Sequence, residues 1–167
     1  MTPDQFWTLV ERVHHASKGD MDRKCELLEA ELRKFSLAEV RSFHAYFTEC
    51  YDLAYHWPLW AAAYIIGHGC SDDSFMDFRS TLISMGRSTF EQALANPEYL
   101  ADIDYDAEIA HYEGYLYVLD TVEEDLSGGE DLPRTQPQPE EPSGERWDED
   151  KVADLFPKLA QKYNYNG

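Results

Sequence analysis

Cysteine is scarce in this chain, and what there is does not pair. Cys25, Cys50 and Cys70 form an odd, widely spaced set with no CxxC among them, which speaks against a disulfide framework and against a cysteine-rich zinc site. Long apolar runs are missing too. The longest, Leu59 to Ile66, falls far short of the roughly 18–20 residues that span a bilayer. Asp4 and Glu11 stand where a secretory leader would be apolar. The expectation is a protein of the reducing cytoplasm with no membrane partner. Basic residues are few, 14 against 33 acidic, for a net charge of −19. With no basic patch, nucleic acid is not an expected partner. No P-loop, Rossmann glycine pattern, GxSxG or HExxH appears, so no cofactor is expected.

What is present points to helices. The 167 residues suit one domain, and 11 Tyr with 4 Trp are more aromatics than a disordered chain carries. Thr2-Pro3 with Gln5 reads as a capping box opening a helix whose stripe is Phe6, Leu9, Val10 and Val13. Gly19 ends it and Asp20 caps the next, with Met21, Cys25, Leu28, Leu32 and Phe35 inward. Ser36 and Glu39 open a third, striped by Val40, Phe43, Phe47, Cys50 and Ala54, which Trp57-Pro58 breaks. Pro58 to Gly67 is apolar all round, as a helix in the middle of a bundle is. Ser71 caps a helix to about Gly86, with Asp72 and Asp73 in its first turn, where negative charge is favourable. Ser88 with Glu91 predicts one more box. Residues 105–120 predict a further helix, with Tyr105, Ile109, Tyr112, Leu116 and Leu119 inward. The fold class is all-α, a compact multi-helix bundle around a nearly all-apolar central helix, over residues 2–126.

Beyond it the composition shifts. Residues 127–146 are rich in Pro, Glu and Gln and nearly free of apolar side chains, which predicts an acidic flexible linker. Trp147, Val152, Leu155, Phe156 and Leu159 then make residues 147–165 an amphipathic C-terminal helix docking on the domain, with a kink or break at Pro157.

The string Leu59-Trp60-Ala61-Ala62-Ala63-Tyr64, then Gly69-Cys70-Ser71-Asp72-Asp73-Ser74-Phe75, Asp77-Phe78-Arg79, Leu82-Ile83-Ser84 and Gly86-Arg87, with Phe6-Trp7 near the start, resembles the bacterial domain-of-unknown-function family 4240. The resemblance covers about Thr2 to Leu126. It implies a helical domain found alone or beside WGR domains, and it implies no activity.

Chemistry concentrates at Ser71–Arg79. Ser71, Asp72, Asp73 and Ser74 gather polar groups at a helix start, and two carboxylates there oppose phosphate. A cation held by Asp72 and Asp73, perhaps with Asp77 and with His68 nearby, is one reading. A capped helix start with Asp73 or Asp77 paired to Arg79 or Arg87 is the other. Glu11 and His15 share a helix face but make only half a metal site. His44, His56 and His111 are isolated, and Cys70 needs a base beside it to act as a nucleophile. Tyr115 and Tyr117 fall off the inward stripe of their predicted helix, which suits either a protein-binding face or packing under the C-terminal segment. Two functions follow. The first is a non-catalytic interaction module, an adaptor or an immunity-like inhibitor of a basic protein partner. The alternative is a small enzyme or a ligand- or cation-binding protein sited at Ser71–Arg79.

Overall fold

The computed structural model describes residues 1–129 and 138–166. Four helices start on the side-chain caps that the sequence spacing predicts. Thr2 accepts from the Gln5 N–H, and the Gln5 side chain accepts from the Thr2 N–H at 2.8 Å, opening α1 (Pro3–Ser17). Ser36 and Glu39 exchange the same two bonds at α3 (Leu37–Leu53). Asp20 caps α2 (Met21–Leu32) and Ser71 caps α5 (Asp72–Ile83). Each such cap is worth about 0.5–2 kcal/mol. The Ser88–Glu91 box does not form. Helix α6 (Arg87–Ala95) begins after Gly86, with no cap of its own. Glu91 is drawn to the Arg87 guanidinium at 2.7 Å, and the free Arg87 N–H donates to Glu11 Oε1 at 3.3 Å.

Residues 105–120 do not make one helix. Ala107–Ala110 forms a single turn, α7, and Gly114 at φ 135° stops it. A new helix, α8, runs from Tyr115 to Ser127. Restarting at Gly114 turns the apolar face, so that Tyr115, Val118, Leu119 and Val122 point inward.

Helix α4 (Trp57–Gly67) explains its own composition. Leu59, Ala61, Ala62, Ala63, Ile65 and Ile66 are buried. The remaining face, with Trp57, Trp60, Tyr64 and His68, lies at helical spacing, and the C-terminal segment reaches it. The Trp147 ring sits 4.9 Å from Tyr64 and 6.5 Å from Trp57. His68 Nε2 donates to the Tyr163 carbonyl at 2.8 Å. With both faces covered, α4 has no side that calls for charge.

That segment is not one helix. It is a 3-10 turn (Glu149–Lys151), then α9 (Val152–Leu155) and α10 (Pro157–Lys162), broken ahead of Pro157. Val152 and Leu159 are fully buried, and Lys162 Nζ donates to the Leu100 carbonyl at 3.2 Å. Of the acidic stretch 127–146, Ser127 still belongs to α8 and Ser143 pairs with His56, while residues 130–137 lie outside the described residues.

The fold is all-α. Among the described residues there is no strand, only that isolated His56–Ser143 bridge. Helix α1 packs on α2, both α2 and α3 lean on α8, and α5 lies against α3, α7 and α8. Phe6, Phe43, Phe47, Phe75, Phe78 and Leu82 fill the space between. Among the described residues no helix is long and apolar enough to cross a membrane.

Candidate functional site

The start of α5 is a self-satisfied cap. Ser71 Oγ accepts from the Ser74 N–H at 3.2 Å and lies 3.1 Å from Ser74 Oγ. Asp72 and Asp73 stand exposed in the first turn. Behind them burial pushes the Cys70 thiol up to about 12, and Asp72 and Asp77 add to the rise. That thiol keeps its proton at neutral pH, so it is no nucleophile. His68 is turned to the C-terminal segment through Tyr163 and the Tyr165 ring at 5.7 Å. Among the described residues no three His, Cys, Asp or Glu side chains gather as a metal ion needs.

Two arginines of the predicted site lie elsewhere. Arg79 is 3% exposed. Its guanidinium stacks over Tyr51 at 3.8 Å and Tyr55 at 4.7 Å, and donates to the Tyr51 carbonyl at 3.0 Å. Position 79 follows Phe75 and Phe78 on the inner face of α5, and the ring faces there accept a cation. Arg87 binds Asp4 at 3.2 Å as well as Glu91, tying α6 to α1. Tyr115 is also lost to the site. It is fully buried beside Phe47, ring centroids 6.2 Å apart, because Gly114 resets the helix.

What remains comes together. Tyr117, 52% exposed, donates from its hydroxyl to Glu113 Oε1 at 3.4 Å. Glu113 precedes the Gly114 turn, opposite α5. Asp77 is half-buried there and rises to about 6, through burial first, then the charges of Glu113 and Asp73. The same three carboxylates raise the Tyr117 phenol, Glu113 most. Asp73, Asp77, Glu113 and Tyr117 therefore form one acidic face between α5 and the start of α8. None of the three carboxylates has an ion-pair partner among the described residues. Glu113 was not legible as a member of this face. Its only signal was Gly114, read as an interior position of a longer helix.

Fold and face together define an all-α protein with an acidic, tyrosine-bearing surface. The chain belongs to the family described as protein of unknown function (DUF4240), which matches residues 1–124. No curated protein and no solved structure matches it.

Proposed function

We propose that this protein is a non-catalytic interaction module that binds a basic protein partner through Asp73, Asp77, Glu113 and Tyr117. The observation that carries this reading is Tyr117, a large ring half in solvent, surrounded by three carboxylates without cations. An exposed aromatic gives a partner apolar area at small entropic cost, and the charges around it select the sign of that partner. Charge at Asp77 is held against a cost. A carboxyl raised from 3.8 to about 6 contributes stability below pH 4 that is lost as pH rises through 6. A basic side chain placed against it would remove that penalty.

The test compares retention of proteins from host extract by the wild type, by the triple variant Asp73→Asn/Asp77→Asn/Glu113→Gln, and by Tyr117→Ala. A control carries Asp102→Asn/Asp104→Asn at two exposed carboxylates away from α5. A basic protein should be retained at low salt, released as salt rises, and lost from the first two variants but not from the control. Equal retention by the triple variant and the wild type would sink the proposal. Circular dichroism must show all variants folded.

A further inference from the structure

The first turn of α4 is capped by an unusual residue. The acceptor at its N-terminus is His56 Nδ1, which takes the Leu59 N–H at 3.3 Å. A backbone N–H only donates, so Nδ1 carries no proton. An imidazolium has two N–H groups and no acceptor. Protonation would set donor against donor and place positive charge at the positive end of a helix.

The backbone on either side of the same residue grips the C-terminal segment. The Ser143 N–H donates to the Tyr55 carbonyl at 3.0 Å, and the Trp57 N–H donates to the Ser143 carbonyl at 2.9 Å. Both bonds need His56 in the extended conformation it has here, φ −142° and ψ 148°. Next along, the Arg146 guanidinium lies 5.1 Å over the Trp57 ring, and Trp147 packs on Tyr64.

We propose that His56 is a pH-sensitive latch: while neutral it caps α4 and holds Ser143–Trp147 against the domain, and on protonation it releases them. The released stretch would bare Trp57, Tyr64 and Trp147. The charged groups around this joint are Asp52 in the last turn of α3, and Glu145, Arg146, Asp148 and Lys151 of the C-terminal segment. These last four, with Pro58, Trp147, Leu155 and Phe156, line an open groove of about 420 Å³. Burial alone lowers the His56 imidazole below its ordinary value of 6.5, with no charged neighbour contributing. A histidine lowered by folding contributes stability above pH 6.5 that is lost as pH falls through its folded value. The second anchor behaves differently. His68 donates to Tyr163, and a donating nitrogen keeps its bond when the ring is protonated. Acid therefore opens the Ser143 end and leaves the Tyr163 end in place.

His14, lowered to about 4, and His111, also lowered by burial, add to any general loss of stability in acid, so the readout must be local. Amide hydrogen exchange of the full chain near pH 7.5 and near pH 5, corrected for intrinsic rates, provides it. In the wild type, protection at Trp57, Leu59 and Ser143 should fall about tenfold more than at amides of α1 to α3, the size of one lost N-cap. His56→Asn, whose side chain caps at either pH, should keep that protection at pH 5. His56→Ala should lack it at both. The His56 ring, titrated by NMR in the wild type, should have its midpoint where that protection is lost. Undiminished wild-type protection at pH 5, an unchanged pH response in His56→Asn, or a ring midpoint away from the loss would each overturn the latch.

Discussion

Lys24 carries charge into a place where little answers it. The side chain is 2% exposed, and its one hydrogen bond runs to Ser84 Oγ at 3.1 Å. Ser84 in turn donates to the Thr81 carbonyl at 2.7 Å. Burial lowers the ammonium from 10.5 to about 8, and nearby His14 is lowered to about 4 by burial and then by Lys24 itself. A lysine lowered on folding contributes stability above its unfolded value that is lost as pH falls through the folded one. At neutral pH the cation therefore costs the fold, on the order of 3 kcal/mol at most. Lys24→Met keeps the apolar stem and removes the charge. Thermal melts should show it more stable than the wild type at pH 7, with the gap closing toward pH 10.5. A gap that stays constant with pH would assign the effect to packing and not to charge. Arg79 meets burial by another route. It lies on aromatic faces and keeps a carbonyl acceptor, which a planar guanidinium can do and a lysine ammonium does less well.

At the scale of elements, helix starts were readable because capping is local. Thr2 with Gln5 and Ser36 with Glu39 need only their own four residues, and both boxes form. The all-round apolar Pro58–Gly67 run also became a helix, since three successive alanines favour it. What failed depended on distant partners. Ser88 and Glu91 lost their box to Arg87 and Glu11, which sequence spacing cannot bring together. Tyr115 was placed on the wrong face because one glycine, Gly114, was counted inside a helix instead of between two. Glu113 was missed for the same reason, and with it the link between α5 and Tyr117. Glycine has a second part to play at the end of α4. A Cβ on Gly67 would lie 2.8 Å from the His111 ring, which is packed 5.3 Å from Phe78. Alanine gains about 1 kcal/mol in helix propensity, but overpacking a buried ring costs about 1–3 kcal/mol. Gly67→Ala should therefore lower stability in chemical denaturation, and His111→Ala in the same chain should recover part of the loss. A more stable Gly67→Ala would show that the ring moves aside freely.

For the molecule as a whole, the net charge of −19 is the dominant electrostatic fact. The first 100 residues carry −6 and the last 67 carry −13, so the segment lying over α4 brings much of the repulsion with it. The ion pairs do little to offset this. Arg12 with Glu31, Arg23 with Glu26 and Arg33 with Asp125 all lie at the surface, more than half or about half in solvent on at least one side, where such pairs are worth about 0–1 kcal/mol. Added salt screens attraction and repulsion alike, and here repulsion is the larger. Raising sodium chloride from about 10 mM to about 300 mM should lift the melting temperature by roughly 2–4 °C, the size of about 1 kcal/mol in a chain of this length. A melting temperature that falls with salt would mean that the surface pairs outweigh the net charge. The sign also separates fold from function. The same salt that steadies the helices should weaken a basic partner's hold on Asp73, Asp77 and Glu113, so binding lost on adding salt while the melting temperature rises is loss of the interface and not of the structure.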